Sequence, residues 1–385
     1  MFTKKTARRA AVAFAATILA SATLAVSQRP AAAIPIFAQR YGFSCKQCHS
    51  VLPELNAFGN AFRNNGYHLP IPKHATTIAA IRYNLEYVND PAPGSRRFTP
   101  SASIVSAAEI GRISAFLHYN LGAGGSPSAP YLGFLAYHND HTGELYRLGL
   151  YELPLTHSPG QRLDEGVAYG YESLTVGQND LALNAPRLGF ETERTVGFTR
   201  LSGTVAFGEF KGAAYGGAPV SDGTHTVASR PEIGLFALGP LVRGLSVSAE
   251  ALDGARSIEL PGHSPAQDEY ERFGFGLHAT FLKDRLLADA EQWLGRDNNA
   301  DARGGALDSS GGYARLKYFV TPHFYLGARY DAQAAPFPAR DAVFYVGTFV
   351  TPHARIVLQQ ENNLLGGKPS LGGEFITAFP WGRGE

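Results

Sequence analysis

The sequence predicts an all-β chain, a transmembrane up-and-down antiparallel β-barrel of about 16 strands with a small N-terminal α-helical segment plugging its lumen. Three observations predict it. From about residue 76 onward apolar and polar residues alternate with a period of two, the mark of strands with two unlike faces. The connections alternate in length: tight links such as Lys283-Asp284-Arg285 are set against loops such as Gly295 to Gly311, Ala332 to Arg340 and Leu365 to Gly373. Short turns at one rim and longer loops at the other characterise outer-membrane barrels. Beyond the first 33 residues, no apolar run approaches the ~20 residues a membrane-spanning helix needs, so this chain can enter a membrane only as a barrel.

Residues 1–33 read as a secretory signal peptide. Lys4, Lys5, Arg8 and Arg9 precede an apolar run from about Ala10 to Val26, and small residues close the segment at Ala31-Ala32-Ala33. Cleavage is expected before Ile34, with a site near Ala22 as the alternative. Taking its five basic residues from the chain's 34 leaves 29 against 33 acidic ones, a net charge of −4. That balance speaks against nucleic acid as a partner.

Residues 34–75 hold Cys45-Lys46-Gln47-Cys48-His49 and with it both cysteines of the chain. This is the spacing of c-type haem attachment, in which two thiols form thioethers with the vinyl groups and the next histidine ligates the iron. A redox dithiol would suit a thioredoxin-like βαβ context, and a zinc site would need more ligands at suitable spacing; neither is seen. One covalent haem c would consume both cysteines and leave no disulfide. The sole methionine is Met1, so the exported chain lacks the Met needed for His/Met ligation.

With His49 as proximal ligand, His68 is the favoured distal ligand and His74 the alternative; the competing reading makes both ordinary surface histidines. Arg40, Lys46 and Arg63 are candidates to pair with the haem propionates, or are solvated charges. Pro53 suits the first turn of a short helix, Leu55, Phe58 and Phe62 would share its apolar face, and Asn64-Asn65-Gly66 would stop it. Phe37, Phe43 and Tyr67 add aromatic surface. About 40 residues are too few to enclose a haem alone, so the segment is expected to lean on the barrel wall from inside.

Residues 76–385 carry the alternation. Ile113, Ala115, Leu117 and Tyr119 share one face, as do Phe273, Phe275, Leu277, Ala279 and Phe281. Phe319-Val320-Thr321-Pro322-His323 recurs as Phe349-Val350-Thr351-Pro352-His353, as successive hairpins of a meander would repeat. Counting such runs yields about 16 to 18 strands. Tyr131, Tyr137, Tyr146, Tyr151, Tyr318, Phe324, Tyr325, Phe344 and Tyr345 crowd strand ends as interfacial girdles would. The length does not suit a β-sandwich, and no blade repeat marks a propeller. His138-Asn139-Asp140-His141 is a dense run of metal-ligand types, read as a solvated periplasmic turn. Gly366-Gly367-Lys368-Pro369-Ser370 lacks the spacing and the strand-to-helix setting of a phosphate loop.

Pro35-Ile36-Phe37-Ala38, the haem motif, Leu55-Asn56-Ala57-Phe58-Gly59-Asn60-Ala61-Phe62-Arg63 and Gly66-Tyr67 together resemble the fused outer-membrane cytochrome-porins. The best-known members of that family oxidise ferrous iron at the cell surface. The resemblance covers some thirty residues and implies an outer-membrane electron-transfer protein of the kind classed as an Fe(II)-oxidising oxidoreductase. Electrons would pass from extracellular Fe(II), or another donor, to a periplasmic c-type cytochrome, with outer-membrane lipid around the barrel. Two nitrogen ligands would place the potential below that of His/Met cytochromes. The same parts are compatible with an outward conduit for metal reduction, or with a diffusion porin whose haem segment is a gate or sensor.

Overall fold

A computed structural model of the chain describes residues 35–50, 54–69, 79–89, 96–121, 129–139, 141–155, 171, 176–177, 179, 182–210, 225–242, 244–258, 266–335, 338–351, 354–367 and 369–381. Three short helices lead: α1 (Pro35–Tyr41), α2 (Cys45–Cys48) and α3 (Ala57–Asn64). Sixteen strands follow among the described residues. They are β1 (Ala79–Asn89), β2 (Arg96–Ile110), β3 (Ile113–Asn120), β4 (Ala129–Asn139), β5 (Glu144–Tyr151), β6 (Arg187–Val196), β7 (Thr199–Phe210) and β8 (His225–Val242). The second half comprises β9 (Leu245–Ile258), β10 (Ala266–Phe281), β11 (Leu286–Asp297), β12 (Leu307–Phe319), β13 (Phe324–Ala335), β14 (Ala339–Thr351), β15 (Ala354–Asn363) and β16 (Ser370–Trp381).

Each strand pairs antiparallel with its sequence neighbours, and β1 closes on β16 with Ala79 opposite Trp381 and Asn89 opposite Leu371. Closure leaves no free edge. The connections 111–112, 197–198 and 282–285 lie at the rim where β1 starts and β16 ends, whereas the strand ends that the longer connections β3–β4, β5–β6 and β7–β8 join lie at the other. The first Phe-Val-Thr-Pro-His run ends β12 and forms the turn before β13 at the short-turn rim; in the second, Pro352 and His353 lie outside the described residues.

Polarity is inverted relative to a water-soluble sheet. On β10, Phe273, Phe275 and Leu277 are exposed, while Asp268, Tyr270 and Arg272, on the alternate phase of the same strand, are buried. Leu316 on β12 points out between buried Arg315 and Lys317. An apolar outer belt over a polar lumen is the pattern a barrel needs in lipid.

The same alternation corrects the aromatic girdle. Tyr137, Tyr146 and Phe344 do face outward, but Tyr131, Tyr151, Tyr325 and Tyr345 are almost completely buried. Clustering near strand ends does not reveal facing, because one step along a strand reverses it. His138 is likewise buried on the inner face of β4, not solvated; His141 alone of that pair is exposed in the turn.

The lumen is occupied from both ends. Near the short-turn rim, Phe37 and Tyr67 of the helical segment stack with each other and with inward-facing Phe116, and Tyr67 also stacks with Phe134. From the loop side, Leu153, Leu155, Tyr171, Val176 and Leu183 cluster with Leu252, Trp293 and Tyr313. No local pattern announces this second filling, because residues 152–186 show no strand-like alternation.

Candidate functional site

The Cys-x-x-Cys-His stretch is held by the helix that follows it. α2 spans the two cysteines, and Asn56 donates from Nδ2 to the carbonyls of Lys46 and Gln47 at 3.0 and 3.1 Å. Its backbone N–H donates to Cys48 O at 2.9 Å, and its Oδ1 accepts from Gly59 N at 2.9 Å, capping α3. The helix therefore begins at Ala57, later than the Pro53 start expected; Pro53 itself lies outside the described residues. A side-chain acceptor that satisfies an orphan N–H defines the start more strongly than proline tolerance does. Gly59 lies so close to α2 that a Cβ there would sit 1.9 Å from Cys48 O. Asn65 and then Gly66, at φ 59°, end the helix as expected.

His49 is buried, and its Nδ1 donates to Glu54 O at 3.2 Å. A carbonyl can only accept, so the Nδ1 proton is committed to Glu54 and the ring orientation is fixed, which is the arrangement an imidazole ligating through Nε2 would need. The Glu54 side chain docks this unit on the wall. Its Oε2 accepts from Arg315 Nη1 at 2.8 Å and from Lys317 Nζ at 2.6 Å, and Oε1 accepts from Ser50 Oγ at 3.1 Å. Burial disfavours the Glu54 carboxylate, but the Arg315 and Lys317 charges outweigh it and hold its pKa down at about 2. Arg315 also donates from Nε to Asp289 Oδ2 at 2.8 Å, and Asp289 accepts in turn from His278 Nδ1.

His49, Lys46, Leu55, Phe58, Phe62 and Arg63 line one side of a cavity of about 1550 Å³. Its other walls come from the barrel near the short-turn rim, among them Leu145, Arg200, His278, Leu287, Phe319 and His323. Ordinary ligand pockets measure about 300–1,000 Å³, so a porphyrin-sized group is within its capacity. The donor set fits a haem: a histidine with its Nδ1 committed, apolar walls for the ring and basic groups for two propionates.

The predicted site residues are only partly brought together. Cys48 is buried beside His49 but is not itself among the residues lining the cavity, while the Cys45 side chain and His74 lie outside the described residues. His68 is buried with Nδ1 on Glu109 Oε1 at 2.7 Å, its ring stacked on His138 at 4.7 Å, and it is not among the residues lining the cavity. Arg40 also points to the wall, donating to Ala107 O at 2.7 Å. Arg63 lines the cavity and pairs with Glu152; burial disfavours its charge, but Glu152 more than compensates and raises its pKa. Lys46 is exposed at the cavity edge.

Sequence reasoning missed Glu54, Asn56, His278 and His323. A signal for His278 existed: it falls on the polar phase of β10, with Asp268 and Arg272, once Phe273, Phe275 and Leu277 are assigned outward.

Neither a protein-family model nor a curated protein matches this chain. Among solved structures it is similar to Salmonella typhi OmpF in complex with daunomycin, at a TM-score of 0.57 and 9% identity, covering 78% of this chain and 97% of that one. An anion-selective porin from Comamonas acidovorans matches at TM-score 0.55 and 13% identity over 80% and 99% of the two chains. OmpT lacking loop L8, an outer membrane protein of Vibrio cholerae, matches at 0.54 and 11% over 79% and 99%. At such identities the likeness is one of fold.

Proposed function

We propose that this chain is an outer-membrane electron-transfer protein of the cytochrome-porin type. It would hold one covalent c-type haem on Cys45 and Cys48, with His49 as iron ligand, and pass electrons from extracellular Fe(II) to a periplasmic c-type cytochrome. The observation that carries this reading is the lumenal cavity lined by His49, whose ring orientation is held by a backbone carbonyl. The apolar outer belt and the porin fold support the outer membrane as its location.

When bound, the haem supplies one-electron transfer. The chain's own residues would hold it: Asn56 and Gly59 fix the attachment turn, Glu54 anchors it to β12, and Phe58 and Phe62 give the cavity apolar lining. In barrels of this kind the short turns face the periplasm, so the cavity opens toward the electron-accepting partner. The extracellular side is reached through the lumen, past the cluster of Tyr171, Trp293 and Tyr313.

The test is stopped-flow absorbance of the oxidised, detergent-solubilised protein mixed with Fe(II) near neutral pH, with His49→Ala as control. Rapid growth of reduced haem bands, absent in the variant, is the expected result. A haem that binds but stays oxidised would overturn Fe(II) as donor and favour an outward conduit. The porins among similar structures favour a second reading, a diffusion pore with a haem gate, which predicts substantial ion conductance.

A further inference from the structure

We infer that His278, on the barrel wall, is the second axial ligand of the haem; the inference rests on the haem attachment proposed above. His278 lies near the short-turn end of β10 and lines the same cavity as His49. The two rings share one frame. His49 Nδ1 bonds to the carbonyl of Glu54, His278 Nδ1 bonds to the carboxylate of Asp289, and Arg315 bonds to the side chains of both Glu54 and Asp289 at 2.8 Å. A histidine held through one ring nitrogen by a carboxylate is the usual arrangement of a metal-ligating imidazole, since it fixes the tautomer and raises the basicity of the other nitrogen.

The alternatives fit less well. His68 is tied to Glu109 and stacked on His138 outside the cavity lining. His323 lines the cavity, but it is exposed in the turn between β12 and β13, and no carboxylate partner for its ring is found among the described residues. With ligands from the helical segment and from the wall, iron coordination would be complete only when that segment is seated in the barrel. Lumen filling and haem coordination would then be a single event.

The experiment is electron paramagnetic resonance and optical spectroscopy of the ferric, full-length, detergent-solubilised protein, comparing wild type with His278→Ala, His278→Met, His68→Ala and His323→Ala. Covalent haem is scored separately by haem staining of denaturing gels. The wild type is expected to be low-spin with two nitrogen ligands. His278→Ala is expected to keep its covalent haem and become high-spin, and His278→Met to stay low-spin with a raised potential, as His/Met ligation dictates. If the alanine variant does not fold, the methionine variant decides: an unchanged potential overturns the inference. Loss of the low-spin signal in His68→Ala or His323→Ala, with His278→Ala unaffected, also overturns it. A wild type without haem stain overturns both this inference and the attachment beneath it, whereas stained haem indifferent to His278 overturns the inference alone.

Discussion

At Gly59, space for a side chain is absent. The contact that a Cβ would make is with the backbone oxygen of Cys48, which cannot rotate aside. Gly59→Ala should therefore push α3 off the Cys-x-x-Cys-His turn at a cost of about 1–3 kcal/mol. The thermal melting temperature should fall and, on the proposed haem attachment, so should the haem-stained fraction of purified protein. Asn56→Ala removes the cap and two bonds to the α2 carbonyls. A loss of about 0.5–2 kcal/mol is expected from the cap alone, read from the same melts. Sequence spacing singled out Cys45, Cys48 and His49 as a haem-attachment candidate because such a motif depends on local order alone. It could not place Arg40 or His68, whose wall partners Ala107 and Glu109 lie 67 and 41 residues away.

Between elements, the joint that matters most joins the helical segment to β12. Glu54→Gln would leave buried Arg315 and Lys317 without their carboxylate partner on that segment. Breaking a buried pair from one side costs about 3–5 kcal/mol, and here the cost falls on docking. Limited proteolysis should cut within residues 34–69 of this variant while the barrel stays intact. On the outer face, Phe275 lies near the middle of β10 and is 58% exposed. Phe275→Arg should lower folding stability in lipid vesicles by about 2–4 kcal/mol, whereas in a water-soluble barrel it would be neutral. A denaturant titration in vesicles distinguishes the two.

For the molecule as a whole, filling at both ends of the lumen predicts a poor ion conductor. Aromatic stacking of Phe37 and Tyr67 on Phe116, at 6.3 and 4.5 Å, holds one filling, and the Trp293 cluster holds the other. Planar-bilayer recordings should show conductance well below that of an open porin, and Glu54→Gln should raise it. A wild-type conductance equal to an open porin's would favour the diffusion reading over the electron-transfer one.

The sequence alone determined the barrel, its strand number to within two and the alternation of short turns with long loops, and it displays the Cys-x-x-Cys-His spacing on which the haem proposal rests. These follow from period-two alternation, turn chemistry and nearest-neighbour spacing, all of which are local. Only the tertiary structure decided which aromatics face the lumen, that His138 is buried, that Leu153, Leu155, Tyr171, Val176 and Leu183 contribute to the lumen filling, and that Glu54 anchors the helical segment to β12. It also set His278 and His49 around one cavity, although they are far apart in the chain. Closing a sheet of sixteen strands brings distant inward-facing residues together. Their pairing depends on register and shear, which no local pattern records.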